Sequence, residues 1–350
     1  MAQMEVGVLG ATGTVGQQFV RLLEQHPWFK LTWLAGSERS EGKRYAEAAP
    51  WRLSTPIPTE SADKIVQAPV PGQGPKLVFS ALDAAVAGEL EAAFAAAGHI
   101  VVSNARNYRM ESDVPLLVPE VNSEHLGLVP LQATRGWKGS IVTNPNCSTV
   151  FLTMALAPLR QFNLRQVMVT TLQAVSGAGY PGVPSLDILG NVVPFIGGEE
   201  EKIESETKRI LGSIRSENGK SVVVPHGVTI SAQTTRVPVI DGHTESISVS
   251  IDQGVTIEDV KQALMTFRGK PQDQRLPSAP CHPIVYLPEQ NRPQPRLDVD
   301  RGNGMTVSIG RLRPCSVLGY KFIALGHNTV RGAAGAALLN AELMQAEGVL

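Results

Sequence analysis

Cysteine is scarce in this chain of 350 residues, which contains only Cys147, Cys281 and Cys315. The three are widely spaced, form no C-x-x-C pair and cannot all pair with one another. The sequence therefore argues against a zinc site and against a disulfide scaffold. We expect no bound metal, and we expect a reducing cytoplasm as the compartment.

Excess charge and long apolar runs are also absent. A net charge of −1 gives no electrostatic reason to bind nucleic acid or an anionic membrane surface. No apolar run is long enough to cross a bilayer, and no basic-plus-apolar leader stands at the amino terminus. With 43% hydrophobic and 18% charged residues, the chain reads as a soluble protein of two globular domains, without nucleic-acid or membrane partners.

A glycine-rich turn follows the first predicted strand. The strand, residues 4–9, runs into Gly10-Ala-Thr-Gly13-Thr-Val-Gly16 and then into an amphipathic helix. Glycines at such a turn let the backbone approach a pyrophosphate, which then lies on the helix N-terminus. The spacing departs from the commonest dinucleotide fingerprint, and a turn without a ligand is the alternative. The position between strand and helix favours a dinucleotide site.

The second predicted strand, residues 29–34, is not followed by the acidic residue that would bind a ribose 2′-hydroxyl of NAD. Arg39, flanked by Ser37 and Ser40, suits the 2′-phosphate of NADP instead. Two glutamates in the same loop argue the other way, and a solvated polar loop is the alternative. The expected cofactor is NADP.

Strand and helix patterns alternate through the first part of the chain, which predicts a parallel, doubly wound sheet. Later segments, 164–172 and 245–251, alternate apolar and polar residues, as antiparallel strands with one solvated face do. Helices are predicted over about 199–211 and 257–267, and a last helix over 328–344 returns to the first sheet. The expected fold class is α/β, a Rossmann-type nucleotide-binding domain (1–147 plus 328–350) with a second mixed α+β catalytic and oligomerisation domain (148–327).

Cys147 lies where a predicted strand ends and a predicted helix begins. Asn146 is a good N-cap, and the free N–H groups and dipole of the first turn favour a thiolate and can hold an oxyanion. A small buried residue that packs a helix start is the alternative. The sequence therefore makes Cys147 a candidate nucleophile.

Arg236 and His243 stand just before an alternating strand. On one straight strand, residues seven apart would point to opposite faces. Pro238 and the following Asp-Gly pair break the strand, so a turn or bulge could bring both side chains to one pocket. There, His243 could take a proton from the thiol and return it, and Arg236 could clamp a carboxylate. The alternative is a capping arginine and a surface turn histidine.

Several motifs together resemble those of aspartate-semialdehyde dehydrogenase over nearly the whole chain. They are Asn144-Pro-Asn-Cys-Ser-Thr149, Gln173-Ala-Val-Ser-Gly-Ala-Gly179, Gly197-Gly-Glu-Glu-Glu-Lys202 with Glu206-Thr207, and Arg236 with His243. The run 176–191 resembles the archaeal and fungal branch most closely. The resemblance implies NADP- and phosphate-dependent interconversion of L-aspartate β-semialdehyde and L-β-aspartyl phosphate, in lysine (diaminopimelate), methionine and threonine biosynthesis, by a homodimer or homotetramer.

The resemblance also implies residue roles. Cys147 is the acyl-forming nucleophile, His243 the acid/base, and Gln173 the residue that orients the acyl intermediate. The implied substrate ligands are Arg236 for the α-carboxylate, Glu199 for the amino group, Arg109 and Lys202 for phosphate, and Asn146.

Three of these assignments have open alternatives. The run of three glutamates leaves the register of Glu199 uncertain by one residue. A glutamate and a lysine three residues apart on a helix, such as Glu199 and Lys202, more often form a solvated ion pair than a ligand site. Without the family match, Arg106 would equal Arg109 as a phosphate ligand.

The expected cofactor contacts are those of the glycine turn, the loop after the second strand, the end of the third strand, the segment under the nicotinamide and the start of the last helix. They are Gly10, Thr12, Gly13, Thr14, Val15, Ser37, Arg39, Ser40, Ser80, Ser176, Gly177, Gly179 and Asn328.

The implied chemistry is addition of Cys147 to the aldehyde, hydride loss to NADP as His243 takes the proton, and attack of phosphate on the thioester. Rival enzymes on this scaffold are malonyl-CoA reductase and other acyl-phosphate or thioester reductases. An NADP-sensing regulatory protein is the non-enzyme alternative. Arg236 and the glutamate run favour a zwitterionic amino-acid substrate, and the intact Cys147 and His243 argue against loss of catalysis.

Overall fold

The computed structural model describes residues 3–217 and 219–350. Its strands are β1 (Met4–Leu9), β2 (Phe29–Ala35), β3 (Leu77–Ser80), β4 (Ile100–Ser103), β5 (Ser140–Thr143), β6 (Gln166–Gln173), β7 (Ser213–Glu217), β8 (Lys220–Val224), β9 (Thr229–Arg236), β10 (His243–Ser250), β11 (Ile284–Leu287), β12 (Val307–Cys315) and β13 (Gly319–Gly326). Within the described ranges, no helix is both long and apolar enough to span a membrane.

The α-helices are α1 (Thr14–Leu23), α2 (Tyr45–Ala48), α3 (Thr59–Ala62), α4 (Ala84–Ala97), α5 (Pro119–Asn122), α6 (Cys147–Leu156), α7 (Ser185–Ile188), α8 (Glu199–Ile210), α9 (Ile257–Thr266), α10 (Lys270–Asp273), α11 (Pro295–Asp298) and α12 (Gly335–Ala346). Short 3-10 helices cover Ser123–Arg135, Ala157–Phe162 and Val175–Ala178, and a π-helical turn covers Val330–Ala334.

The first sheet has five parallel strands in the order β2-β1-β3-β4-β5. Strands β3, β4 and β5 are buried along their whole length, as expected when helices cover both faces of a parallel sheet. The α/β prediction, with its parallel, doubly wound sheet, is confirmed.

The turn between β1 and α1 is as tight as its glycines predict. Gly10 has φ +72°, and a Cβ on Gly16 would lie 2.2 Å from the Gly10 carbonyl oxygen. No side chain caps the N-terminus of α1. Its first-turn N–H groups are therefore available to an anionic ligand.

The second sheet has six strands in the order β11-β12-β13-β10-β6-β9. Buried and exposed residues alternate strictly along β6, so one face packs on the core and the other is solvated. The predicted alternation is confirmed, but the pairs β6–β9 and β11–β12 are parallel. The sheet is therefore mixed rather than antiparallel throughout.

Strand β5 and helix α6 belong to different layers. The strand forms the edge of the parallel sheet, whereas the helix is buried in the core of the second sheet with Val169 and Ile247. Cys147, the first residue of α6, therefore lies at the junction of the two sheets.

The last helical segment packs into the core of the first sheet. Leu338, Leu339 and Leu343 on α12 are buried in the same cluster as Val6 of β1 and Phe19 of α1. The helix predicted over 328–344 differs at its start, because the chain forms a π-helical turn before α12 begins.

Candidate active site

Asn146 caps the helix that begins at Cys147. Its side-chain oxygen accepts hydrogen bonds from the backbone N–H groups of Ser148, at 3.0 Å, and Thr149, at 3.3 Å. The predicted N-cap is confirmed. The cap fixes the direction in which the helix starts and, with it, the backbone of the following cysteine.

The thiol of Cys147 does not titrate as the sequence led us to expect. Burial, reinforced by the negative charge of Glu199, raises its pKa to about 12, and this outweighs the lowering by Arg236 and by the Ser148 N–H. The helix terminus does favour the thiolate through the Ser148 N–H, as expected, but burial outweighs this effect. The thiol is neutral near pH 7, so any covalent step must also move its proton.

Three side chains of the proposed site stand side by side on the inner face of the second sheet. Gln173 of β6 pairs with Arg236 of β9. On the other side, Thr244 of β10 pairs with Leu172, which brings His243 next to Gln173. All three side chains are buried. Arg236 ends one strand and His243 begins another, with β6 between them, so the predicted break in the chain occurs by a change of strand and not by a bulge.

Gly177 packs against both flanking side chains. A Cβ at this position would lie 2.8 Å from Arg236 Nη1 and 3.0 Å from His243 Nε2. The guanidinium and the imidazole therefore meet beneath the 3-10 turn 175–178. Arg236 Nη1 also donates to the Ala174 carbonyl oxygen at 2.7 Å, and this contact fixes the orientation of the guanidinium.

His243 is held as a neutral ring. Burial, together with the charge of Arg236, lowers its pKa well below the usual value. Its Nδ1 accepts a hydrogen bond from the Ala174 N–H at 3.0 Å, so the neutral ring carries its proton on Nε2. That atom has no hydrogen-bond partner among the described residues.

This arrangement bears on the predicted proton transfer from the thiol to His243, and the acid/base role stays a prediction. A neutral ring could accept a proton at Nε2 only if its own proton were on Nδ1, where the Ala174 N–H already donates. In this geometry His243 is a hydrogen-bond donor. A buried neutral N–H suits a developing oxyanion on a carbonyl carbon.

The three glutamates of the run differ in their surroundings. Glu199 is buried, and its carboxylate accepts hydrogen bonds from Asn146 Nδ2 at 2.6 Å and Lys202 Nζ at 3.1 Å. Glu200 instead accepts from the Thr234 N–H, and Glu201 is exposed. The Glu199–Lys202 pair is thus packed beside the start of α6 rather than fully solvated.

Arg109 is placed next to the same helix start, whereas Arg106 is exposed. Arg109 is buried, donates from Nη1 to Glu206 at 2.9 Å and from Nη2 to the Asn104 carbonyl oxygen at 2.7 Å. Glu206 was not a predicted site residue. A sequence signal existed, because Glu206 follows Glu199 by two helical turns and so shares its face of α8.

A cavity of about 810 Å³ lies between the glycine turn and the 3-10 turn 175–178. Thr14, Ser176 and Gly179 line it, as does Thr329. Asn328 Nδ2 donates to Ser176 Oγ at 2.7 Å, so the chain just before the π-helical turn is tied to this wall. The structure brings these predicted cofactor residues together.

The other predicted cofactor residues are more scattered. Ser37 and Arg39 are exposed after β2, whereas Ser40 is buried. Ser80, at the end of β3, is completely buried, so its side chain is not displayed to a ligand. Gly10, Thr12, Gly13 and Val15 form the glycine turn and the start of α1.

Sequence reasoning also missed a contact at the rim of the cavity. The guanidinium of Arg52 stacks on the Tyr180 ring at 4.3 Å, and both residues line the cavity. No local pattern marks this pair, because its members are distant along the chain.

Glu245 is a buried carboxyl group two residues beyond His243 on β10. Neither of its oxygens has a hydrogen-bond partner among the described residues, and burial raises its pKa well above 4.5. In register it stands opposite Thr171 of β6. The folded protein therefore keeps this group protonated at pH values where the unfolded chain ionises it.

Replacing Glu245 with glutamine should make stability less sensitive to pH. Since the folded state binds the proton more tightly, the wild-type protein loses stability as pH rises above the unfolded pKa of about 4.5. A neutral amide does not titrate. In thermal or denaturant unfolding, Glu245→Gln should gain at least about 1 kcal/mol on the wild type between pH 4 and pH 7. If the free energies of unfolding of the variant and the wild type differed by the same amount at pH 4 and at pH 7, a protonated Glu245 would be contradicted.

Two family models match this chain, one in its first part and one in its second. The family model "Semialdehyde dehydrogenase, NAD binding domain" matches residues 5–129, and "Semialdehyde dehydrogenase, dimerisation domain" matches residues 156–331. The chain is 52% identical to aspartate-semialdehyde dehydrogenase of Archaeoglobus fulgidus, covering 99% of both chains, and 47% identical to that of Schizosaccharomyces pombe, covering all of both.

A solved structure agrees with these relatives. The crystal structure of aspartate semialdehyde dehydrogenase with NADP from Candida albicans superposes with a TM-score of 0.91, at 44% identity and full coverage of both chains. Archaeal and fungal members thus match this chain along its whole length. The chain is an oxidoreductase that belongs to the aspartate-semialdehyde dehydrogenase family.

Proposed function

We propose that this chain catalyses the NADP-dependent, phosphate-dependent interconversion of L-aspartate β-semialdehyde and L-β-aspartyl phosphate through a thioester on Cys147. The observation that carries this proposal is the position of Cys147, at a capped helix start beside Glu199 and within the electrostatic reach of Arg236. A nucleophile, an anionic group and a cationic group are thus gathered in one place. The relatives support this activity and not malonyl-CoA reduction or a regulatory protein.

The residues present fit NADP. A side chain at Gly16 would collide with Gly10 at 2.2 Å, so the glycine turn is built for close approach, and the first-turn N–H groups of α1 are uncapped by side chains. We assign the pyrophosphate to this turn, and the 2′-phosphate to exposed Arg39 with Ser37. When bound, NADP supplies or takes the hydride.

The high pKa of Cys147 is compatible with acyl transfer. When the thiol attacks β-aspartyl phosphate, a carbon–sulfur bond forms, the carbon–oxygen bond to phosphate breaks, and the thiol proton leaves with the phosphate. Because the thiolate is the attacking form, that proton must leave the sulfur as the carbon–sulfur bond forms, and the departing phosphate accepts it. His243 donates its Nε2–H to the oxyanion of the tetrahedral intermediate, and Gln173, beside it on β6, orients the acyl group.

The charges around the thiol complement a zwitterionic substrate. Arg236 is a buried fork held by the Ala174 carbonyl oxygen and binds the α-carboxylate in two-point fashion. Glu199, anchored by Asn146 and Lys202, receives the α-amino group. Lys202 and Arg109 hold the phosphate. An acyl-CoA ester lacks the α-carboxylate and α-amino group that Arg236 and Glu199 would bind.

We assign residues 1–147 and 328–350 to the nucleotide-binding domain and 148–327 to the catalytic domain, with Met1 and Ala2 lying outside the described residues. This division follows the packing of α6 on the second sheet and of α12 in the core of the first. Cys147 lies at the boundary of the two assigned domains, as the first residue of α6, so the thioester would form where the two domains meet.

We further propose that the catalytic domain forms a homodimer, alone or within a homotetramer. Apolar side chains stay exposed on its outer sheet face, on the segment that follows β6 and between β9 and β10, and the matching family model is a dimerisation domain. They are Met168, Leu172, Leu186, Leu189, Phe195 and Ile240. Exposed apolar side chains grouped in this way are typical of a protein–protein interface, and we propose that a second copy of the chain covers them. We place the enzyme in the cytoplasm, where thiols stay reduced.

The test of the proposed function is NADPH formation by the purified protein with aspartate β-semialdehyde, phosphate and NADP. We expect formation to require both aldehyde and phosphate, and to be slower with NAD. Malonyl-CoA with NADPH serves as the competing assay. Turnover of malonyl-CoA without turnover of the aldehyde would refute the proposal.

A further inference from the structure

Glu206 connects two parts of the proposed site that come from different elements. Its side chain on α8 is 2% exposed. One carboxylate oxygen accepts from Arg109 Nη1 at 2.9 Å, and the other accepts from the backbone N–H of Asn146 at 2.7 Å. Both oxygens of Glu206 therefore accept hydrogen bonds, one from Arg109 and one from the residue just before Cys147.

The contact with the backbone N–H completes the fixing of Asn146. Its side chain caps the first turn of α6 and donates to Glu199, and its backbone N–H donates to Glu206. Because Cys147 is the next residue, these contacts together set the direction of the thiol. Without Glu206, the backbone N–H would be a buried donor with no acceptor.

The contact with Arg109 fixes its guanidinium. Among the described residues, Glu206 is the carboxylate that forms a salt bridge with Arg109, and both side chains are buried. The other anchored nitrogen donates to a backbone carbonyl oxygen. A buried cation that lost this carboxylate would shift or draw in solvent, because an unpaired buried charge is costly.

We propose that Glu206 is a positioning residue that sets the distance between the nucleophile and the phosphate-binding guanidinium. One rigid carboxylate holds the backbone next to Cys147 with one oxygen and Arg109 with the other. The inference rests on the proposed function, in which Arg109 binds phosphate. It adds a specific expectation, that Glu206 affects the phosphate step more than recognition of the amino acid.

Glu206→Gln is the sharpest test. The amide has one oxygen that accepts and one nitrogen that donates, so it can serve either Arg109 or the Asn146 N–H, but not both. We expect kcat to fall about 10-fold or more and the KM for phosphate to rise at least about 5-fold, since small misplacements of reacting groups are costly. The KM for aspartate β-semialdehyde should stay within about 2-fold, because Arg236 does not contact Glu206 and Glu199 keeps its contact with Lys202.

Glu201→Gln is the matched control. It makes the same chemical change on the same helix, at an exposed residue, and should leave all three parameters at wild-type values. Glu206→Asp is the second variant. It keeps the charge, so Arg109 is not left without a counter-ion, but its shorter side chain cannot reach both donors. We expect the same rise in the KM for phosphate with a smaller loss of thermal stability.

The outcomes separate the inference from the function beneath it. If both Glu206 variants show wild-type kcat and KM for phosphate, with only a lower melting temperature, Glu206 is structural and the inference is overturned. If the KM for the aldehyde rises as much as that for phosphate, the expected selectivity is absent and the inference also fails. If the wild-type enzyme forms no NADPH in response to phosphate, the proposed function itself has failed.

Discussion

Replacing Cys147 with alanine should reduce phosphate-dependent NADPH formation by at least about 10³-fold, because the reaction loses its covalent intermediate. The alanine removes one sulfur atom from a residue that neither caps nor anchors its helix, since Asn146 does both. The fold should therefore survive. Steady-state kinetics, together with mass spectrometry for an acyl adduct after mixing with aspartyl phosphate, measure the loss.

Two controls make that result specific. Cys281 is exposed and lines a different cavity, so Cys281→Ala should retain wild-type turnover and the acyl adduct. Cys147→Ser keeps the size of the side chain but replaces the thiol with a poorer nucleophile. Ordinary turnover by either Cys147 variant would exclude this thiol as the nucleophile and would remove the basis of the proposed mechanism.

Replacing Gly332 with alanine should impair catalysis nearly as severely, although this residue has no chemistry of its own. A Cβ at Gly332 would lie 2.6 Å from the Cβ of Cys147 and 3.1 Å from its Cα. Neither atom is the end of a flexible side chain, so the start of α6 or the π-helical turn must move. A displacement of about 1 Å in a reacting group can cost about 10²-fold in rate. We expect kcat to fall by at least that factor.

The matched control for this change is Gly227→Ala. A Cβ there meets no heavy atom within 4 Å, so activity and melting temperature should stay at wild-type values. Gly332→Ala should also lower stability by about 1–3 kcal/mol, the usual cost of overpacking a buried site. Wild-type turnover of this variant would show that the thiol tolerates movement, which would contradict the tight positioning inferred for it.

The fold of the first sheet could be predicted because its signals are local. The strand Met4–Leu9 has the predicted bounds, since an apolar strand run is a pattern of adjacent residues. The parallel pairing in the second sheet was not predictable in this way. Whether β6 lies beside β9 or another strand depends on packing between distant segments, and a strand has the same periodicity in either case.

The site was predictable in composition but not in electrostatics. Sequence reasoning selected Cys147, Arg236 and His243, and it even recognised that the strand must break between the last two. It could not predict the pKa of the thiol, because that pKa is set by burial and by Glu199, more than fifty residues away. It also missed Glu206, whose partners Arg109 and Asn146 are distant along the chain. It also could not predict that the backbone N–H of Ala174 donates to His243 Nδ1, because these residues are distant along the chain.

The position of α12 has a consequence for how the protein is made. This helix fills the core of the sheet that begins at Met4, so the apolar face built by the earliest residues stays uncovered until the ribosome has released residues 335–346. The intervening segment can bury its own core first. We expect the nucleotide-binding half to fold last during synthesis, and a chain stalled before Gly335 to depend on chaperones in the meantime.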